Sequence, residues 1–235
     1  MTRHIAIFDM DRTLTRRGTW LPWLRQWLRY EAPWRLLLLP MLLLPVVRHL
    51  TGSLDRGQLK AAVQRVVMGS RIPGPQVRAA AIRFSAMILS DDIFPAARKA
   101  IAAERDKGHL IVIATASNAY YAEAIGAALG VDHVISTGWQ WQEDHLLPRL
   151  AAENCYGVVK ADAVRTWLLA EGLVDAKLSA WSDHASDLPM LMLAAASGGQ
   201  ANAVNPCSAL RTEAIRLGWP VLEWGAVRHS LMERA

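Results

Sequence analysis

Short apolar runs of strand length alternate with segments of helix length along most of this chain. The runs are Ile5 to Phe8, Leu110 to Ala114, Val131 to Ser136, Leu178 to Trp181 and Gln200 to Val204. The helical patterns between them are Phe94 to Lys107, Asn118 to Leu129, Asp162 to Ala170 and Leu188 to Ala196. Because strands that alternate with helices are joined by right-handed crossovers, this order predicts an α/β fold, a doubly wound parallel sheet with helices on both faces.

Polar residues that could carry chemistry lie at the ends of several of these runs. In sheets of this kind, ligands bind beyond the carboxyl ends of the strands, so we expect these residues to meet at one edge. They are Asp9 and Asp11 after the first run, Thr115 and Ser117 after the second, Asp183 and Asp187 after the fourth, and Lys160 near the start of a helix. Lysine is scarce here, at five residues against twenty-one arginines, which draws attention to Lys160.

These side chains supply the groups that phosphoryl transfer needs. A carboxylate can attack phosphorus, and a second carboxyl group can protonate the leaving oxygen and then deprotonate a water. An ammonium group, a hydroxyl and a metal ion can stabilise the charge on the phosphoryl oxygens, and an oxygen-rich site suits Mg²⁺. Each residue alone could instead cap a helix or close a turn, but their joint occurrence at strand ends favours a catalytic site.

The same residues carry a resemblance to the haloacid dehalogenase superfamily. The stretch "FDMDRT" resembles its DxDxT signature, "IVIATAS" its second motif, "GVVK" its third and "WSDHASDLPML" its acidic fourth. The motifs follow the family's order, with a large insertion after the first one, as in the subfamily IB phosphatases that include phosphoserine phosphatase. The resemblance implies a Rossmann-like hydrolase core of residues 1–13 and 91–235, with a helical cap of residues 14–90 inserted into it.

The resemblance also implies a role for each matching position, with Mg²⁺ as the cofactor. Asp9 would be the nucleophile, and Asp11 would be the general acid and base. Thr115 would bind a phosphoryl oxygen, and Lys160 would neutralise the aspartyl-phosphate. The metal ligands would be Asp9, the backbone carbonyl of Asp11 and Asp183. Asp187 would complete the metal site by orienting Lys160 or a metal-bound water.

Charge is distributed unevenly between the insertion and the rest of the chain. Residues 12–90 contain thirteen Lys or Arg against only Glu31 and Asp55, a net charge of +11, whereas the whole chain carries +5. The remainder is therefore acidic. This asymmetry predicts that the insertion meets something anionic, or that its arginines keep an apolar segment soluble.

Residues 20–48 of the insertion contain two apolar segments. Six residues fall on one side of a predicted helix: Trp20, Leu21, Trp23, Leu24, Trp27 and Leu28. Next comes "LLLLPMLLLPVV", residues 36–47, which is shorter than the roughly 20 residues of a membrane span and is interrupted by prolines. Each segment is either the cap's own core or an interfacial surface that associates peripherally with a membrane. The core is favoured for the tryptophan face, and the membrane surface for residues 36–47.

These features predict an Mg²⁺-dependent phosphomonoester hydrolase that acts through an aspartyl-phosphate intermediate. Its substrate would be a lipid phosphate such as phosphatidylglycerophosphate, which some bacterial members of the subgroup hydrolyse, or a small phosphomonoester such as phosphoserine. The alternative is a non-catalytic module that binds a membrane or an acidic partner through the basic, Trp-rich insertion. Nucleic-acid binding is not expected, because the aromatic residues lie with leucines on an apolar face.

The sequence also predicts where the protein works. Asp9 and Asp11 lie where the apolar region of a signal peptide would have to be, so none is expected. Cys155 and Cys207 are far apart and have no metal-ligand spacing, which is typical of a reducing compartment. We therefore expect a cytoplasmic protein, with residues 20–48 as the segment that could hold it on the cytoplasmic face of the inner membrane.

Overall fold

A six-stranded parallel sheet forms the centre of the molecule in the computed structural model, which describes residues 3–225. Its strands lie in the order β4-β3-β1-β7-β8-β9. Their bounds are β1 His4–Phe8, β3 Leu110–Asn118, β4 His133–Thr137, β7 Lys177–Ser182, β8 Ala201–Val204 and β9 Val221–Leu222. All five predicted strands are present, which confirms the predicted α/β fold, and β9 is an addition.

The first strand is the middle of this sheet because its side chains are apolar on both faces. Ile5 and Ile7 pack into the core on one face, and Ala6 and Phe8 pack into the core on the other. β1 pairs with β3 on one side and with β7 on the other, both in parallel. A strand that is buried on both faces reads as a continuous apolar run, as residues 5–8 do.

Helices cover both faces of the sheet. The helices that follow the insertion are α5 Pro95–Asp106, α6 Ala119–Leu129, α7 Val158–Ala170, α8 Leu188–Ala196 and α9 Ser208–Leu217. The predicted helices match the first four of these, except that α7 begins at Val158 and not at Asp162. Lys160 therefore lies in the first turn of α7. The turn before that helix needs Gly157, whose backbone (φ 63°, ψ −127°) is in a region that other residues rarely adopt.

Helices also dominate residues 14–90. They are α1 Trp20–Tyr30, a 3₁₀ segment Pro33–Leu42, α2 Leu43–Leu50, α3 Arg56–Val67 and α4 Gly74–Asp91. Trp23 and Trp27 of α1 are buried, as predicted for a tryptophan face that forms a core. The assignment of Leu21 to that face is wrong, because its side chain is 67% exposed.

A second, three-stranded antiparallel sheet joins the two parts of the chain. The hairpin β5 Trp139–Gln142 and β6 His145–Leu150 comes from the later part, and β2 Ile72–Pro73 comes from the insertion and pairs with β6. Trp139 and Leu146 of the hairpin are buried in the same core as Trp23. Residues 14–90 are thus attached to the rest of the molecule by a strand ladder and a shared core.

The 3₁₀ segment and α2 together form an 18-residue apolar stretch, Pro33–Leu50, none of which is buried. Within residues 3–225 it is the single stretch that is long and apolar enough to cross a membrane by length and composition. The change of helix type at Leu42 and the prolines at positions 40 and 45 divide it into two short pieces. This exposure fits an interfacial surface better than a cap core for residues 36–47.

Candidate active site

Asp9 begins the site because β1 ends immediately before it. Its backbone N–H donates to the carbonyl oxygen of Trp181 at 2.9 Å, which continues the pairing of β1 with β7 by one residue. The chain then turns through Met10–Leu14, and the turn is closed by the Thr15 N–H donating to the Met10 carbonyl at 3.0 Å. Arg12 in this turn has φ 64°, a left-handed conformation that is uncommon for a residue other than glycine.

Lys160 links Asp9 to Asp187 at the centre of the site. Its ammonium donates to Oδ1 of Asp9 and to Oδ2 of Asp187, both at 2.7 Å, and all three side chains are buried. The two carboxylates raise the pKa of Lys160 by more than burial lowers it, so the ammonium stays charged. Burial raises the pKa of Asp9, and Lys160 opposes this rise.

Asp183 lies on the other side of Asp9 from Lys160, and the Thr13 hydroxyl lies between the two carboxylates. The Thr13 hydroxyl is 3.1 Å from Oδ2 of Asp9 and 3.4 Å from Oδ1 of Asp183, so these two carboxylate oxygens face a common point. Burial and the neighbouring Asp187 raise the pKa of Asp183 to about 6. The second oxygen of Asp187, Oδ1, is buried and has no hydrogen-bond partner among residues 3–225.

These observations fit a bound Mg²⁺. The carboxylate oxygens of Asp9 and Asp183 face one point, and burial raises the pKa of both groups. A divalent cation bound between them would stabilise their ionised forms, and Mg²⁺ prefers such hard oxygen ligands. The unpaired oxygen of Asp187 could accept a hydrogen bond from a water in the metal's shell. No three Asp, Glu, His or Cys side chains among residues 3–225 cluster closely enough to hold a metal by themselves. The predicted metal set therefore depends on waters and the Asp11 carbonyl to complete it.

The carboxylate of Asp11 points away from this cluster. Its Oδ1 accepts from the backbone N–H of Thr19 at 2.8 Å and from the Thr19 hydroxyl at 2.7 Å. Its Oδ2 accepts from the Ser117 hydroxyl at 2.7 Å, and Ser117 in turn accepts from the Tyr121 hydroxyl at 3.2 Å. Asp9 and Asp11 are thus held by different partners, as two carboxyl groups with separate roles require.

Thr115 lies near the end of β3, and its side chain is completely buried. Its hydroxyl oxygen accepts from the backbone N–H of Ser117 at 3.0 Å. This bond lies at the irregular end of β3, where the pairing register with β4 shifts between Ala114 and Asn118, and the Ser117 hydroxyl donates from there to Asp11. Of the predicted site residues, Asp9, Lys160, Asp183 and Asp187 form one connected cluster, whereas Asp11 belongs to a second network through Ser117.

Lys60 is a residue of this region that the sequence analysis missed. It comes from α3 of the insertion, and its ammonium donates to the Ala116 carbonyl at 2.6 Å and to Oδ1 of Asn154 at 2.7 Å. Burial lowers the pKa of Lys60 to about 8, although the negative charge of Asp11 opposes the shift. The scarcity of lysine that drew attention to Lys160 applies equally to Lys60 and could have found it.

Comparisons with known proteins agree with this geometry. The family of haloacid dehalogenase-like hydrolases matches residues 6–192. A probable phosphatase of Mycobacterium tuberculosis is 30% identical over 225 residues, 94% of this chain and 76% of that relative.

Two solved structures share the fold. A protein of unknown function from Bordetella pertussis Tohama I has a TM-score of 0.80 at 23% identity, covering 95% of this chain and 100% of that one. A phosphoserine phosphatase solved as a phospho-aspartyl intermediate analogue has a TM-score of 0.59 at 15% identity, covering 94% and 93%. The family match covers most of the sequence, including all four predicted motifs, and the chain belongs to the haloacid dehalogenase-like hydrolase family.

Proposed function

We propose that this protein is an Mg²⁺-dependent phosphomonoester hydrolase that acts through an aspartyl-phosphate on Asp9. The observation that carries the proposal is the buried cluster in which Lys160 bridges Asp9 and Asp187 while Thr13 joins Asp9 to Asp183. A purely structural role does not call for so many buried charges, because each one must be desolvated. The family and the probable phosphatase among its relatives support the same reaction.

The first chemical step is attack of an Asp9 carboxylate oxygen on phosphorus. An oxygen–phosphorus bond forms to Asp9, the bond to the leaving oxygen breaks, and Asp11 gives that oxygen a proton. The hydrogen bond from Lys160 to Oδ1 of Asp9 fixes the rotation of the carboxylate. Lys160 stays charged throughout and offsets the charge of the phosphoryl oxygens.

The second step is hydrolysis of the aspartyl-phosphate. Asp11 takes a proton from water, the oxygen of that water bonds to phosphorus, and the bond to Asp9 breaks. Thr115 binds a phosphoryl oxygen in both steps. Asp9, Asp183 and the Asp11 carbonyl would hold Mg²⁺, which when bound supplies positive charge to the phosphoryl group and keeps Asp9 ionised.

The substrate that we propose is a phosphomonoester of one of two classes. One is a lipid phosphate such as phosphatidylglycerophosphate, in keeping with the apolar insertion. The other is a small phosphomonoester such as phosphoserine, in keeping with the fold shared with phosphoserine phosphatase. A turnover screen of the purified protein against both classes, with the lipid presented in detergent, distinguishes them by measured phosphate release.

The test of the mechanism is Asp9→Asn, which keeps the size of the side chain and removes the nucleophile. We expect loss of turnover with an aryl phosphate and loss of the aspartyl-phosphate analogue formed with beryllofluoride, with an unchanged circular dichroism spectrum. Asp162→Asn is the matched control, because Asp162 is an exposed residue of α7 that forms a surface ion pair with Arg165. EDTA should abolish wild-type turnover, and added Mg²⁺ should restore it. Full activity of Asp9→Asn would end the covalent mechanism.

The alternative is a non-catalytic module with a decayed site. Decay removes the selection that keeps a buried nucleophile, acid and lysine together, yet Asp9, Asp11 and Lys160 are all present with their partners. An absence of phosphate release from every phosphomonoester in the screen, with Mg²⁺ present, would favour the alternative.

A further inference from the structure

Large apolar side chains are exposed along the inserted segment Pro33–Leu50. We call this surface the apolar strip, defined as the large exposed apolar side chains between Pro33 and Leu50. Its members are Trp34, Leu36, Leu37, Met41, Leu43, Leu44, Val46, Val47 and Leu50. Leu37 is 83% exposed and Leu50 is 78% exposed. Monomeric soluble proteins rarely expose apolar residues in such a contiguous group, and those that do use it to bind.

The strip is held firmly on the molecule. Arg35 donates from Nη1 to the Val66 carbonyl of α3 at 3.0 Å, which ties the 3₁₀ segment to the neighbouring helix. Leu39 and Leu42, between the exposed members, pack against the main hydrophobic core. At the far end, Nδ1 of His49 lies 2.8 Å from the Leu54 carbonyl. The strip is therefore a preformed surface whose inner side chains are already used for packing.

The charged residues within the strip's segment are all basic. Residues 32–54 contain no Asp or Glu, and Arg35 and Arg48 lie at its two ends. The nearest preceding acid, Glu31, is paired with Arg83. The Arg35 guanidinium lies over the ring of Trp34, 4.6 Å from its centroid. Aromatic residues paired with arginine beside an apolar surface are typical of segments that lie at a membrane–water interface.

We propose that the apolar strip docks on the surface of an anionic lipid bilayer, with its leucines among the acyl chains and its arginines at the headgroups. The charge favours lipid over a second copy of this chain, because a two-fold contact would bring like-charged arginines together. Spanning is disfavoured, since the strip would have to leave its packing on α3 and since Pro40 breaks its first half. This inference does not depend on the proposed catalytic reaction.

The apolar strip is connected to the candidate active site through α3. The strip packs against α3, and α3 carries Lys60, whose ammonium binds the carbonyl of Ala116 between Thr115 and Ser117. A membrane under the strip would therefore lie against the segment that is attached to the helix reaching the site. The cap is then the part of the molecule that faces lipid.

Vesicle sedimentation tests the proposal on the full chain. The probes are vesicles of phosphatidylcholine mixed with phosphatidylglycerol and vesicles of phosphatidylcholine alone, each at low and high salt. We expect binding to the anionic vesicles that weakens as salt rises, because nearby arginines contribute through a screened attraction. The double variant Leu37→Ser with Leu44→Ser should lower the partition constant by about ten-fold or more per leucine, by the free energy of burying each side chain.

The matched control is Leu169→Ser with Ile215→Ser, which removes two similarly exposed apolar residues from α7 and α9. We expect it to bind vesicles like the wild type. Unchanged turnover of a soluble aryl phosphate, or an unchanged circular dichroism spectrum, shows that each double variant is folded.

Three results would overturn the proposal. The first is a wild-type protein that stays in the supernatant with anionic vesicles at low salt. The second is equal loss of binding in the strip variant and in the control. The third is a wild-type dimer in sedimentation velocity that the strip variant makes monomeric, together with no vesicle binding, which would assign the strip to a second copy.

Discussion

Replacing Asp11 by asparagine separates proton transfer from the structure around it. Oδ1 of Asp11 accepts two hydrogen bonds from Thr19, and Oδ2 accepts one from Ser117 at 2.7 Å. In Asp11→Asn the amide oxygen can take the place of Oδ1 and keep both Thr19 bonds. The amide nitrogen then faces Ser117, whose hydroxyl can accept from it and donate instead to the Thr19 oxygen, 2.9 Å away. The local structure should therefore survive the change.

The cost of the change should fall on the chemistry. General acid catalysis contributes about 10²- to 10⁴-fold, which corresponds to roughly 3–5 kcal/mol in the barrier. An alkyl phosphate has a poor leaving group and needs the full effect of the acid. A nitrophenyl phosphate has a good leaving group, so its phosphorylation step should slow much less. The second step depends on Asp11 as a base and should slow for both substrates alike.

The assay is single-turnover and burst kinetics with a series of aryl and alkyl phosphates. With the nitrophenyl ester, Asp11→Asn should give a burst of nitrophenol followed by a slow steady rate, because the aspartyl-phosphate accumulates. With the alkyl ester no burst is expected. The steeper dependence of the first step on leaving-group pKa is the signature of a missing acid.

Equal slowing of the phosphorylation step for good and poor leaving groups would refute the assignment of Asp11 as general acid. Ser117→Ala is the companion variant, because it removes one hydrogen bond to Asp11 and leaves its carboxyl group in place. It should slow both steps modestly without changing their leaving-group dependence. Thermal melting of each variant shows whether a loss of rate comes from unfolding.

Two further changes test other parts of the structure. Trp23→Ala should lower the free energy of unfolding by about 3–5 kcal/mol in urea titrations, because Trp23 is fully buried among aromatic rings. Trp34→Ala should lower it by less than about 1 kcal/mol, because Trp34 is 59% exposed. Similar losses in the two variants would contradict the burial of Trp23. Since burial lowers the pKa of Lys60 from 10.5 to about 8, the folded state loses this proton before the unfolded state does. The unfolding free energy of the wild type should therefore rise relative to that of Lys60→Met by about 3 kcal/mol between pH 8 and pH 10.5, and parallel pH profiles would contradict it.

The residues that sequence reasoning could find are those fixed by the ends of parallel strands. An apolar run buried on both faces ends at Asp9, and the runs beside it end near Thr115 and Asp183, so topology alone brings them to one edge. The identities of the acids and of Lys160 then indicated phosphoryl transfer. The fold was predictable for the same reason, because alternating strands and helices allow few arrangements.

Contacts between distant segments could not be read in this way. Thr19 and Lys60 reach the site from the insertion, and their contacts with Asp11 and Ala116 depend on how helices pack over the sheet. The hairpin of residues 139–150 was missed although "WQWQ" alternates as a strand does. Its turn, Glu143 and Asp144, has positive φ at both residues but lacks the glycine that usually signals such a turn.

The central position of β1 sets the order in which the molecule can be completed during synthesis. Its partners β3 and β7 begin roughly 105 and 170 residues later in the chain. At about 5–20 residues per second, the ribosome needs roughly 10–35 s to deliver β7 after β1. The first strand lacks both neighbours until β3 has been made, and it lacks β7 for the whole of that time. Asp9 meanwhile has neither Asp183 nor Asp187 beside it. A nascent chain arrested before Lys177 should therefore expose an open sheet edge and bind chaperones, whereas a chain released after Asp187 carries all four carboxylates of the site.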